Sequence, residues 1–276
     1  MTGHRVPSDG ATDRARRLLD EANLVVYRDS TLRAGGRVIQ LSGLTLIIGT
    51  HPSPSIVNTI LRTGPVPAPQ TALAEAADVF RSIGHGTSLM TSSHADTELA
   101  AAAAATGWTC VFELVGMILD RPVAASSTPS VAAGTTVFVA DPEADLGAIR
   151  AVELAGFAES EHERSMVESV FADPRMLTSP DTAAYLASVE GPAGREVAAA
   201  AIVDRAPAAL ITWVATLPAF RRRGLGGLVT AAAATRGFEM GCPAVVLQAS
   251  PMGRSVYRRL GFRELNQYQL WEPPSR

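Results

Sequence analysis

Apolar positions recur along this chain with two alternating spacings. In the C-terminal half, apolar and β-branched runs predict strands at Thr135–Ala140, Ala183–Val189, Glu196–Val203, Leu210–Thr216, Ala244–Gln248 and Phe262–Leu270. Helical spacing predicts helices at Glu143–Phe157, Glu161–Val170, Gly224–Met240 and Met252–Leu260. The order is strand, two helices, three strands, helix, strand, helix, strand, which points to the α/β class, of α+β type. The N-terminal half carries similar punctuation. Ser82-Ile83-Gly84 closes a helix, Thr87–Thr91 reads as a strand, Asp96–Ala105 as a helix, and Gly107-Trp108 opens the strand Thr109–Leu119. Downstream, Met240-Gly241, strand, helix, Gly261-Phe262 and strand follow the same order, so the chain reads as an internal repeat.

The halves separate at a legible boundary. Asp120-Arg121-Pro122 ends a strand, and Val123 to Gly134 is small, polar and proline-bearing, as a linker should be. The expected division is 1–122, a linker at 123–134, and 135–276. With 276 residues, each half is long enough for its own core.

Composition narrows the function. The formal net charge of −3 supplies no global basic field for nucleic acid, and the aromatic residues are too few and dispersed to stack bases. Cys110 and Cys242 form no C-x-x-C pair, so neither a zinc site nor a disulfide framework is expected, and Cys110 reads as buried packing. No apolar run is long enough to cross a membrane and the first residues are polar, so a cytoplasmic protein is expected. No Gly-x-Ser-x-Gly elbow occurs, and His162-Glu163 lacks the second histidine of a metalloprotease helix. His51, His85 and His94 read as incidental loop histidines, and no metal site is expected.

The most informative segment is Arg221-Arg222-Arg223-Gly224-Leu225-Gly226, between the strand Leu210–Thr216 and the helix Gly224–Met240. A strand, a short basic turn, glycines and a helix N-terminus make an anion cradle, because the first helical N–H groups lack partners and the dipole adds positive charge. A phosphate-bearing ligand is expected. A P-loop is excluded because all 24 basic residues are arginine, and a dinucleotide fingerprint because Val229 stands where its third glycine would be.

The spacing Arg-x-x-Gly-x-Gly, with Pro218 ahead of it, resembles the acyl-CoA pyrophosphate loop of the GNAT N-acetyltransferase superfamily. Tyr257-Arg258-Arg259-Leu260-Gly261-Phe262 matches that family's Tyr-x-x-x-Gly-Phe pattern. The resemblance covers residues 135–276. It implies a mixed central sheet flanked by helices and, with the repeat, two tandem GNAT-like domains. The N-terminal copy would be degenerate: Leu44–Gly49 sits where the CoA-binding strand would be, but Thr50–Ser55 holds Pro52 and Pro54 and no glycine loop, and Ala103 replaces the tyrosine. The alternative is an unrelated α/β domain.

What the resemblance implies for chemistry is specific. The backbone of Val214, Ala215 and Thr216, on a strand splayed from Ala244–Gln248, would hold the pantetheine arm and polarise the thioester. The amides of Arg222, Arg223, Gly224, Leu225, Gly226 and Gly227 would hold the pyrophosphate, one of the side chains of Arg221, Arg222 and Arg223 would reach the phosphates, and Arg254 could reach the nucleotide end. Tyr257 would protonate the leaving thiolate. For the general base the candidates are Glu153, Glu159, Glu161, His162, Glu163 and Glu168, foremost Glu159 and Glu161 at the turn between two helices, or a water chain. The expected activity is transfer of an acetyl group from acetyl-CoA to a primary amine of a small molecule or peptide, with one CoA per chain; the alternative is a non-catalytic acyl-CoA-binding sensor or scaffold. The acceptor's identity, acyl-chain preference and the choice between monomer and homodimer are not encoded in these motifs.

Overall fold

The computed structural model describes residues 10–53, 57–158, 161–191 and 194–274. The first half contains α1 (Gly10–Arg33), β1 (Arg37–Leu41), β2 (Leu44–Ile48), β3 (Asn58–Arg62), α2 (Pro69–Ser82), β4 (Ser88–Ser92), α3 (Thr97–Ala105) and β5 (Thr109–Leu119). The second contains β6 (Thr136–Val139), α4 (Leu146–Phe157), α5 (Glu161–Val170), β7 (Thr182–Gly191), β8 (Gly194–Asp204), β9 (Ala209–Thr216), α6 (Leu225–Glu239), β10 (Val245–Ala249), α7 (Arg254–Arg259) and β11 (Arg263–Glu272). In the second half every predicted element is present, with small shifts at the ends.

All the strands join one mixed sheet in the order β1-β2-β3-β4-β11-β5-β10-β9-β8-β7-β6. The middle of that order is an exchange. β5 pairs with β10, β11 pairs with β4, and β5 and β11 pair with each other, all antiparallel. Each half therefore receives the last strand of the other. One face is covered by α2, α3, α6 and α7, the other by α1, α4 and α5. Each fully buried Leu, Ile or Phe on these faces contributes about 1.5–3 kcal/mol by leaving water.

The repeat is visible in backbone detail. β3 runs parallel to β4 and β9 parallel to β10. α3 ends with Trp108 N–H donating to Ala103 O at 3.0 Å across Gly107 at φ +84°; α7 ends with Phe262 N–H donating to Tyr257 O at 3.1 Å across Gly261 at φ +100°. Both are left-handed glycine caps that turn a helix directly into a strand.

Two expectations change, and one helix is new. The counterpart of the CoA-binding strand in the first half is β3, not Leu44–Gly49, because β2 is antiparallel to both its neighbours. The corresponding turn is therefore Thr63–Ala68, where Pro65 and Pro67, with Pro69 opening α2, remove N–H groups, while those of Thr63 and Gly64 both donate to Gly43 O. Pro52 O accepts the N–H of Gly86 at 2.8 Å, and Pro54 lies outside the described residues. Second, Cys110 is half-buried on the part of β5 that projects past β10, beside exposed Val111 and Phe112, so it is not core packing. The new helix, α1, follows the polar start and buries Ala15, Leu19, Ala22 and Val26 on one stripe against the sheet.

The loop histidines have partners. His94 Nδ1 lies 2.6 Å from Ser92 Oγ and its Nε2 3.2 Å from Asp20, and Asn266 donates to the same Ser92 Oγ, tying β11 to β4. His51 Nε2 lies 2.8 Å from Ser165 Oγ, joining the first half to α5.

Candidate active site

The site begins with a bulge in β9. Pairing with β8 jumps from Ala200↔Ala215 to Ile202↔Thr212, leaving Trp213 and Val214 opposite Ala201. Trp213 sits at φ +52°, a left-handed conformation that costs a bulky residue about 1–3 kcal/mol. Its ring is held edge-on by Phe157 and Phe171, at centroid distances of 5.7 and 5.1 Å. The bulge turns β9 away from β10. Parallel pairing runs only from Ala209↔Val245 to Ile211↔Leu247, so the edge of Val214, Ala215 and Thr216 towards β10 has no ladder partner. This is the expected splay.

The chain then turns through Pro218–Phe220 into the basic loop. Arg221 Nε donates to Thr216 O at 3.2 Å, folding back over the end of the strand. Arg222 takes φ +64° and Gly224 φ +83°, after which α6 begins. Among the described residues, the N–H groups of Arg222, Arg223, Gly224, Leu225, Gly226 and Gly227 donate to no acceptor; the first helical bond is Leu228 N–H to Gly224 O, 3.0 Å. The arginine side chains are secondary: Arg223 lies 4.9 Å over the Phe220 ring, and Arg222 and Arg223 are exposed. The glycines divide the work. A side chain on Gly224 would be strained and would press on Pro129 at 3.1 Å, and one on Gly227 would meet the same proline at 2.8 Å. The segment joining the halves thus packs along one side of the cradle. Among the described residues, a Cβ added to Gly226 would meet, beyond its own helix, Thr216 Oγ1 at 3.2 Å.

Tyr257 projects from α7 into the core beneath α6, tilted 60° against Phe262 at 6.1 Å. Gly253 lets the ring lie against the backbone, since a Cβ there would sit 2.7 Å from it. Burial first, and then the charge of Glu153, push the phenol's pKa up, so it keeps its proton at any physiological pH.

Glu153 comes from the opposite face of the sheet. It lies on the buried stripe of α4 with Ile149 and Val152, at 0 % exposure. Neither carboxylate oxygen has a hydrogen-bond partner among the described residues, and burial raises its pKa well above the usual glutamate value. Gly156, less than one turn on, packs on Ala215 of the splayed segment. Glu153 lies near enough to Tyr257 for its charge to add to the upward push on the phenol.

The remaining sequence candidates fall elsewhere. Glu159 lies outside the described residues. Glu161 and His162 open α5, and their side chains are not described. Glu168 is exposed and Glu163 half-buried. Arg254 makes two 2.5 Å bonds to Glu264, which also takes Arg258, so its fork is already occupied by a carboxylate. Sequence reasoning did not find α1's contribution. Tyr27 donates to Gln248 Oε1 of β10 at 3.0 Å, and a cavity of about 50 Å³ lined by Tyr27, Thr212, Trp213 and Met176 lies between α1 and the bulge. Among the described residues, no cluster suits a metal ion and no helix is long and apolar enough to cross a membrane.

Residues 192–271, from the β7–β8 hairpin through β11, match the family model described as FR47-like protein. Among solved structures, a GCN5-related N-acetyltransferase from Kribbella flavida is similar at TM-score 0.70 and 21% identity, over 92% of this chain and 96% of that one. The chain shares its fold with that GCN5-related N-acetyltransferase. A tandem GNAT protein from the clavulanic acid biosynthesis pathway, solved without AcCoA, is similar at TM-score 0.62 and 17% identity, over 97% of each chain. A GCN5-related N-acetyltransferase from Sphaerobacter thermophilus is similar at TM-score 0.59 and 16% identity, over 99% of this chain and 96% of that one. Among curated proteins the sequence comparison finds no match. The likeness of fold extends over nearly the whole chain, to the tandem GNAT protein as well.

Proposed function

We propose that the protein is an N-acyltransferase that moves the acetyl group of acetyl-CoA to a primary amine of a small molecule or peptide. The observation that carries this reading is the run of unpaired N–H groups from Arg222 to Gly227, beside the unpaired edge of β9. That pair of features suits a ligand with a diphosphate at one end and an amide-bearing arm at the other. The amides take the diphosphate at the positive end of α6, and the backbone of Val214, Ala215 and Thr216 takes the arm as a neighbouring strand would.

Acetyl-CoA supplies an activated acyl carbon in thioester linkage. The protein's part is to hold that carbon still, to aim a backbone N–H of the β9 edge at the carbonyl oxygen where charge develops, and to exclude water. Tyr257 provides a proton for the departing sulfur, which its retained phenol O–H is suited to do. Among the described residues, the proline-rich counterpart turn of the N-terminal half offers no matching cradle. The α1 of that half instead lies beside the β9 bulge, where Tyr27, Thr212 and Trp213 line a small cavity.

The test is purified protein with acetyl-CoA against a panel of amines, followed by release of free thiol. Amine-dependent thiol release is expected. Binding of acetyl-CoA with no turnover on any amine would favour a sensor, and absence of binding would remove the reading.

A further inference from the structure

The cavity of about 50 Å³ beside the β9 bulge lies where the two halves meet. Tyr27 and Arg33 line it from α1, Val57 from just before β3, Asp204 from the end of β8, and Thr212 and Trp213 from the bulge. Since roughly 10–15 Å³ of such space holds one water, it admits a group of about four heavy atoms.

Its charged lining is an ion pair with one donor unspent. Arg33 Nη2 lies 3.2 Å from Asp204 Oδ1, 3.2 Å from Thr182 Oγ1 and 3.3 Å from Met176 O, so three acceptors crowd a single nitrogen. On the same guanidinium the buried Nε–H has no acceptor among the described residues. A buried donor without a partner loses its hydration and gains nothing in return. An arginine that served only to tie α1 to β7 and β8 would turn Nε to one of those three acceptors. Asp204 is 7 % exposed, and its bonds from Arg33 and from Thr182 Oγ1, the latter at 2.6 Å, both fall on Oδ1. Burial pushes this carboxyl's pKa up, against the pull of Thr182 and Arg33, so a further donor on Oδ2 would relieve it.

The pair limits what the cavity can hold. A carboxylate on Arg33 Nε would lie against Asp204, and an ammonium on Asp204 would lie against Arg33. A neutral amide offers its carbonyl oxygen to the first and its N–H to the second, and its flat group of about four heavy atoms matches the space. We infer that this cavity takes a peptide group of the acceptor, whose carbonyl accepts from Arg33 Nε–H and whose N–H donates to Asp204 Oδ2. The inference deepens the acyltransferase reading and rests on it: the acceptor class is a peptide, and a simple alkylamine is a poor substitute. The bulge residues that line the cavity run directly into the Val214–Thr216 edge, so a peptide anchored here has its free amino end directed to the thioester. Arg33 and Asp204 select the acceptor and touch no reacting atom.

The probe is trialanine amide, with hexylamine as a primary amine of similar length that lacks an amide. Calorimetric titration into the full wild-type chain should show the peptide binding at least about tenfold more tightly than hexylamine. Asp204→Asn keeps an acceptor for Arg33 and Thr182 and can turn the free oxygen into a donor, while Arg33→Gln keeps a donor for Asp204 and removes Nε–H. Each should weaken the peptide about tenfold or more, leave hexylamine unchanged, and bind acetyl-CoA as the wild type does, which shows that it folds. In thiol-release assays both should raise KM for trialanine amide with kcat unchanged. A peptide bound no more tightly than hexylamine, or a peptide affinity that both variants retain, overturns the inference and leaves the acyltransferase reading standing. Absence of acetyl-CoA binding in the wild type would instead remove that reading, and the acceptor role of the cavity with it.

Discussion

Val115, on the last strand of the first half, is the antiparallel partner of Ala249, on a strand of the second. The same strand lies on its other side against β11, the last of the chain. A cut in the segment 123–134 therefore divides the chain without dividing the sheet. Residues 135–276 alone would leave β10 with an open, apolar edge where Met117 and Leu119 now sit, and β11 without β4 or β5.

Expressed alone, residues 135–276 should be aggregated or poorly folded, and co-expression with residues 1–134 should recover soluble material. Circular dichroism and size-exclusion chromatography check this. A cooperative, soluble C-terminal fragment would show that the exchange is dispensable.

A pH signature should accompany Glu153. Burial raises its folded-state pKa above the unfolded one. Its contribution is therefore fully present below the usual glutamate range and is lost as pH rises towards the folded value, because only the unfolded chain ionises there. Glu153→Gln removes this loss. Between pH 5 and 7 the variant should gain on the wild type by up to about 1.4 kcal/mol per pH unit in urea unfolding. A difference that stays constant across that range contradicts a carboxyl held neutral.

Tyr257→Phe keeps the ring between Gly253 and Phe262 and deletes the proton. Turnover should fall by about 100-fold or more with acetyl-CoA affinity unchanged. Wild-type turnover, with chemistry shown to be rate-limiting, would assign the tyrosine to packing.

What was legible in the sequence was local. The loop after Thr216 and the glycine caps at Gly107 and Gly261 are written in residues whose backbone preferences act within a turn. The α1 stripe Ala15, Leu19, Ala22 and Val26 was equally local, but many arginine and aspartate residues surround it. The parallel strand of the first half was misassigned because Leu44–Ile48 is the more apolar run, while β3 buries polar Asn58 and Thr59. Neither β5 nor β11 states which neighbour it will choose, since pairing between distant strands depends on the whole sheet. Glu153 could not be separated from the other acids by residue type; the stripe Ile149, Val152, Glu153, Gly156 separates it once α4 is docked on β9.

The measurement that bears most directly on the account is calorimetric titration of acetyl-CoA into the wild type and into Gly226→Asp. The aspartate would put a side chain and a negative charge at the open point of the cradle, next to Thr216 Oγ1. One acetyl-CoA per chain is expected for the wild type, with at least a tenfold weaker affinity, about 1.4 kcal/mol, in a variant of unchanged fold. Two equivalent sites per chain, or an affinity that Gly226→Asp leaves untouched, would contradict it.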